Sequence, residues 1–158
     1  MPNETYPFVA FNFEVQLHIP DATSLGLSDP LVTGAFAECD GLEMTMEPKK
    51  VKEGGNNTSQ VHLVGPVTYG NLTLKRGMTP NFDLWTWFRL ATAGTTRGLR
   101  AQGAVALWDG QGQLVAGFQL ADCLPIKLKG PSLNAKDGQV AIEEFQLSYA
   151  SLTLQVPG

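Results

Sequence analysis

From Val9 to Ile19 the odd positions are Val9, Phe11, Phe13, Val15, Leu17 and Ile19, and the even positions include Asn12, Glu14, Gln16 and His18. Successive side chains on a β-strand point to opposite faces, so this period-two pattern demands a strand with one buried and one wet face. The run exceeds the usual strand length of about five or six residues. A strand of that length needs neighbours along its edges and a second layer over its apolar side. The length, 158 residues, is that of one domain, 1–158, and a 43% hydrophobic composition can fill its core. Charged residues make up only 16%, against about 25% in an ordinary soluble domain. So little charged surface leaves copies of the chain free to associate.

The rest of the chain reads as short strands and one helix. Pro20 to Pro30 is a loop, Thr33 to Cys39 a second strand, Asp40-Gly41 a turn, and Leu42 to Glu47 a third strand. Met44 and Met46 are read as core residues of that strand. Glu47 to Ser59 is polar and glycine-rich, with no core-forming residue until Val61, and reads as an extended arm at about 47–60 that orders on a partner. Short strands follow at Val61–Val64 and Leu72–Arg76. Thr79 is expected to cap a helix with Pro80 in its first position, and Leu84, Trp87, Phe88 and Ala91 form its apolar stripe. Gln102–Trp108 and Leu114–Leu124 flank an Asp109-Gly110-Gln111-Gly112 turn. After Pro125, Ile126 and Leu128 alternate with Lys127 and Lys129. The apolar phase of the last strand, Gln139 to Val156, slips twice, which predicts bulges or a strand that changes sheets.

Several chemistries are excluded. The formal charge is −4 and the 11 Lys and Arg are scattered, so no basic stripe exists to displace counterions from a nucleic acid. No apolar run is long enough to span a membrane. Met1 to Phe8 lacks a basic start and an apolar stretch, so no secretory signal and synthesis in the cytoplasm are expected. Two cysteines, Cys39 and Cys123, are too few for a structural zinc site and read as buried free thiols. Each has acidic neighbours, which raise a thiol pKa and blunt reactivity. There is no Gly-x-Ser-x-Gly elbow, and Glu53-Gly54-Gly55-Asn56-Asn57 lacks the Lys-Ser/Thr of a phosphate loop. Glu143 and Glu144 are adjacent on a strand, face opposite ways, and are read as solvated surface. Neither a catalytic residue, a metal ligand nor a cofactor is assigned, and the chain is not read as an enzyme.

The order of the motifs resembles the tail-tube family of contractile phages and the inner-tube proteins of extracellular contractile injection systems. Phe11-x-Phe13-x-Val15 is similar to the family's opening strand, and Phe36-x-Glu38-Cys39-Asp40-Gly41-Leu42 to its next strand and turn. Lys52-Glu53-Gly54-Gly55 resembles the family's arm. Leu72-Thr73-Leu74-Lys75-Arg76-Gly77 is the most specific block, followed by Trp85 and Trp87 on the helix. Cys123-Leu124-Pro125, Lys129-Gly130-Pro131-Ser132-Leu133-Asn134-Ala135 and Ala141-Ile142-Glu143-Glu144-Phe145 continue the likeness.

The resemblance implies a mainly β fold, a β-sandwich or small barrel with one flanking α-helix and an extended β-hairpin arm. It implies hexameric rings stacked into a hollow conduit inside a contractile sheath, found in an assembled phage tail or tail-like particle. Partners implied are the chain itself, the sheath protein, a baseplate or tube-initiating protein, a terminator or cap protein, and cargo. Residues 53–57 (Glu53, Gly54, Gly55, Asn56, Asn57) are expected in the contact between rings. The polar face of the first strand (Asn12, Glu14, Gln16 and His18) is expected to line the lumen. Leu72, Leu74, Gly77, Trp85, Trp87, Phe88, Pro125 and Ile142 are taken as core and motif positions. Two other readings stay open. One is a tube-initiating or baseplate adaptor of the same machine, and the other is a soluble β-sandwich binding module.

Overall fold

The structure is a computed structural model that describes residues 11–34, 36–52, 60–133, 138 and 140–157. In chain order the elements are β1 (Phe11–His18), β2 (Val32–Gly34), β3 (Glu38–Asp40), β4 (Met44–Met46), β5 (Lys49–Lys52), β6 (Gln60–Leu63), β7 (Val67–Tyr69), β8 (Leu72–Gly77), α1 (Asp83–Thr92), β9 (Ala101–Asp109), β10 (Leu114–Lys129), β11 (Ile142–Ser148) and β12 (Ser151–Gln155). All strand pairs are antiparallel.

The architecture turns on β10. Its first part pairs with β9 and β12, in a sheet ordered β2-β1-β9-β10-β12. Its second part pairs with β11, which continues through β8 to β3. The change of sheet occurs where the register slips, between Leu120 and Cys123 and again between Pro125 and Lys127. Asp122 takes a left-handed conformation, φ 54°, at the first slip. An unpaired extra residue bends its strand, so two slips in succession fold one sheet over the other. Pro125, expected to end a strand, lies buried within β10. β11 and β12 make the same crossing in return, separated by Tyr149 and Ala150. The phase slips at the end of the sequence are thus a strand that changes sheets.

The inner faces meet in one core. Val15, Leu17, Val105 and Leu120 come from the first sheet, and Leu72, Leu74, Phe145 and Leu147 from the second. Helix α1 adds Leu84, Trp87 and Ala91. The Trp87 ring lies 5.7 Å from that of Phe145, and its indole N–H donates to the Leu99 carbonyl at 3.0 Å. Burying an aromatic of this size contributes about 2–3 kcal/mol. The expected mainly β fold with one flanking helix is the one observed.

Five expectations are corrected. Thr33–Cys39 is two strands, β2 in one sheet and β3 in the other. Helix α1 begins at Asp83 rather than at Pro80. Asn81 Oδ1 accepts from the Asp83 N–H at 2.9 Å, while Thr79 Oγ1 accepts only from Asn81 N. Met44 and Met46 are exposed rather than core, because β4 leaves the sandwich. Among the motif positions, Leu72, Leu74, Trp87 and Pro125 are buried, and Phe88 and Gly77 half-buried, but Trp85 and Ile142 reach solvent. Glu143, read as solvated, is buried.

Candidate functional site

Three arrangements stand out. The first is a two-stranded ribbon outside the sandwich. Near its base β4 pairs with β7 (Met44 with Tyr69, Met46 with Val67), and farther out β5 pairs with β6 (Lys49 with Leu63, Val51 with Val61). The expected hairpin arm is therefore longer at its base than 47–60. Glu53, Gly54, Gly55, Asn56 and Asn57 lie outside the described residues. In each half one face is mainly apolar and the other polar. Met44, Met46, Val67 and Tyr69 oppose Thr45 and Thr68, and Val51, Val61 and Leu63, with Lys49 beside Leu63, oppose Lys50, His62, Lys52 and Gln60. Apart from the half-buried Tyr69, the apolar positions are open to water, Met44 at 62% and Leu63 at 49%. Between the halves, a Cβ on Gly65 would fall 1.8 Å from the Glu47 carbonyl oxygen, so only glycine permits this approach.

Tyr149 fixes the base of the ribbon. Its hydroxyl donates to the Gly41 carbonyl at 2.6 Å and accepts from the Glu43 N–H at 3.1 Å, and its ring packs 5.6 Å from that of Tyr69. Burial pushes the phenol above its ordinary pKa of 10.0 and keeps it a neutral donor. The sequence marks Tyr149 as a strand residue and carries no local signal for this contact, which joins residues 108 apart in sequence.

The second arrangement is the outer face of the first sheet. Asn12, Gln16 and His18 are exposed and Glu14 half-buried, all on the side away from the core. Register aligns Glu14 with Ala106, Gly117 and Gln155, and Gln16 with Ala104, Gln119 and Thr153. Asn12 stands beside Trp108, itself paired with Leu114. His18 Nδ1 lies 2.6 Å from Asp29 Oδ1 at one margin. Two shallow cavities lie along β9, one of about 270 Å³ between Glu14 and Leu114, the other of about 170 Å³ between Gln16 and Gln119. Sequence reading found the β1 side of this face. It missed Gln102, Gln119 and Trp108, whose place depends on pairing between distant strands.

The third arrangement ties helix to sheet. Glu143 Oε1 accepts from Arg76 Nε at 2.7 Å and Oε2 from Trp85 Nε1 at 3.1 Å. The guanidinium stacks 5.4 Å over the Phe36 ring. Both carboxylate oxygens are engaged, which makes Glu143 a structural group.

Among the described residues these three arrangements assemble no nucleophile with a base. Among the described residues no three His, Cys, Asp or Glu side chains converge as metal ligands. Cys39 and Cys123 are free; burial first, then the neighbouring Asp40 and Asp122, push their thiols up to about 11 and about 12. Among the described residues no helix is long and apolar enough to cross a membrane. The surfaces present are suited to contact.

The chain matches the model of the T4-like virus tail tube protein gp19 over residues 9–153. It is similar to a chain in the cryo-EM structure of the anti-feeding prophage baseplate, solved with 6-fold symmetry. That match has 24% identity and a TM-score of 0.78, covering 97% of this chain and 98% of that one. It is also similar to a chain of the PVC extracellular contractile injection system sheath-tube complex in its extended state, with 19% identity and a TM-score of 0.76, covering 97% and 94%. A chain of that system's sheath/tube terminator gives 20% identity and a TM-score of 0.76, covering 98% and 100%. No curated protein sequence matches significantly.

Proposed function

The chain belongs to the T4-like virus tail tube protein family, and from that membership we propose that it is a non-enzymatic subunit of the inner tube of a contractile injection machine. Six copies form a ring, rings stack into a hollow conduit, and the conduit sits inside a contractile sheath with an initiating protein at one end and a terminator at the other. The observation that carries this reading is the ribbon from β4 to β7. A folded monomer gains nothing from holding six large apolar side chains, Met44, Met46, Val51, Val61, Leu63 and Val67, in water, and contiguous exposed apolar surface marks a contact site.

The likeness to chains of baseplate, sheath-tube and terminator assemblies supports the partners, and the 6-fold symmetry of the baseplate supports the ring size. Among the described residues β12 has no strand on its outer edge, which supports ring closure, since an unpaired edge strand is a template for pairing with another copy. Asn12, Glu14, Gln16 and His18 then face the lumen, and residues 53–57 reach the adjoining ring. The tube acts mechanically, as a stiff conduit whose modest contacts repeat along its length.

Sedimentation and negative-stain microscopy across a concentration series test the proposal. Rings or tubes of uniform diameter are expected. A strict monomer at high concentration overturns self-assembly of a main tube and returns the tube-initiating reading.

A further inference from the structure

The ribbon that leaves the sandwich is split in charge along its length. Asp40, Glu43 and Glu47 stand toward its base, Lys49, Lys50 and Lys52 stand farther out, and all six residues are exposed. We propose that copies of the chain pair head to tail through it, the lysine end of one ribbon lying against the acidic base of the ribbon on a second copy. The proposal rests on the reading of the ribbon as an assembly contact and names what each end of it meets.

The charges share a face. The ladder of β4 and β7 extends past both its ends, with the Gly70 N–H donating to the Glu43 carbonyl and the Glu47 N–H to the Pro66 carbonyl, each at 3.2 Å. Alternation therefore sets Glu43 and Glu47 on the polar side with Thr45. Register sets Lys50 and Lys52 on the polar side of the outer half. The polar side thus runs from carboxylates to ammoniums.

These charges are left for another copy to neutralise. Among the described residues none of the six takes part in an ion pair within its own chain. Glu43 and Lys50 stand up to about 23 Å apart along the extended chain, against a screening length of about 8 Å in physiological salt. Glu43 and the outer lysines therefore cannot neutralise each other within one ribbon. Like ends laid side by side would set lysines on lysines and carboxylates on carboxylates, so charge selects the offset pairing. Base and outer end are different surfaces of one chain, which makes the contact heterologous: each copy offers its base to one neighbour and its lysines to another. The exposed apolar side supplies the buried area, and the charges set the register.

The test uses two variants of the full chain. One reverses the outer end, Lys50→Glu with Lys52→Glu, and the other reverses the base, Glu43→Lys with Glu47→Lys. Neither touches the core, and circular dichroism should read both as native. Each alone should need a concentration roughly tenfold higher than the parent to assemble, the worth of several exposed ion pairs turned repulsive. Mixed in equal amounts they should assemble together near the parent's concentration, because each reversed end then meets a reversed partner. Variants that assemble alone like the parent, or a mixture that fails to recover, overturn the proposal. So does assembly that stops at two copies, since an antiparallel pair satisfies the charges but closes on itself. Carbodiimide cross-linking of isotope-labelled with unlabelled protein reads the contact apart from ring formation. Amides between the outer lysines of one copy and Glu43 or Glu47 of another are expected. Their presence without rings defeats the tube reading and upholds this contact, and their absence overturns the contact whether or not rings form.

Discussion

Arg76 Nε lies 2.7 Å from Glu143 Oε1, and the carboxylate is only 2% exposed. β8 and β11 set these residues opposite each other in register, and Trp85 closes the pair from the helix side. The pair thereby locks α1 to the second sheet. Glu143→Gln leaves the guanidinium facing a neutral amide, and losing one partner of a buried pair costs about 3 kcal/mol or more. Urea denaturation should show that loss in the midpoint with little change in slope. Replacing both partners by Leu and Met should cost less than Glu143→Gln alone, because no charge is then left stranded.

How far such features are legible depends on the range of the interaction. The β1 alternation is local, and from Asn12 to Ile19 its buried and exposed faces emerged as read, Val9 and Ala10 lying outside the described residues. The sheet change at the C-terminus was legible as a slip of phase, because a one-residue bulge exchanges inside for outside. Glu143 was not legible: its burial follows from Arg76 across the strand and Trp85 on the helix, and a glutamate in an alternating strand reads as surface. Met44 and Met46 failed for a related reason. Alternation shows that one face is apolar but not whether the chain's own core covers it. The β1 part of the open sheet face was visible, whereas Gln119 and Trp108 joined it only through pairing.

The cysteines should be nearly inert in the folded protein. With the Cys39 thiol pushed up to about 11 and Cys123 up to about 12, the thiolate fraction at pH 8 is roughly one in a thousand and one in ten thousand, and the thiolate is the nucleophile. Iodoacetamide at pH 8 followed by mass spectrometry should find Cys123 unmodified and Cys39 slowly modified, with both alkylated at once in denaturant. Rapid native alkylation of Cys123 would show that the β10 bend opens.

The outer face of the second sheet carries charges of alternating sign across four strands. Glu38 pairs with Lys75, Lys75 with Glu144, and Glu144 with Lys129, with Lys127 Nζ 3.3 Å from Glu144. The hydrogen bond from Lys127, with the nearby lysine charges, holds Glu144 below its ordinary 4.5, and the hydrogen bond to Glu38 holds Lys75 above 10.5. A depressed carboxylate contributes stability above its unfolded pKa and loses it as pH falls through the folded one. A raised lysine contributes below its unfolded pKa and loses it as pH rises through the folded one. Between those limits both contributions are present. Thermal melts should show Glu144→Gln lowering Tm near neutral pH, with the difference from the parent vanishing below the carboxylate range. Added salt should shrink the difference, since these groups lie at the solvent-facing side of the sheet and are screened.

The ribbon separates folding from assembly. Val61 and Leu63 lie outside the core, so Val61→Ser and Leu63→Ser should leave the unfolding free energy within about 0.5 kcal/mol of the parent. If the ribbon seats on a neighbouring copy, each substitution removes apolar area from that contact, about 1–2 kcal/mol per side chain. The loss recurs at every copy around a ring. Deleting Gly54 to Ser59 should have the same character, a folded domain that no longer stacks. Circular dichroism and sedimentation on the same preparations make the comparison. Native spectra with the assembly lost are expected for all three variants, and tubes of normal length from the deletion would remove the ribbon from the contact between rings. Tyr149→Phe tests the anchor in turn: it takes away the donor to Gly41 and the acceptor for the Glu43 N–H. It should cost about 1 kcal/mol and weaken assembly by more than that stability loss accounts for, because a loosened base no longer aims the ribbon.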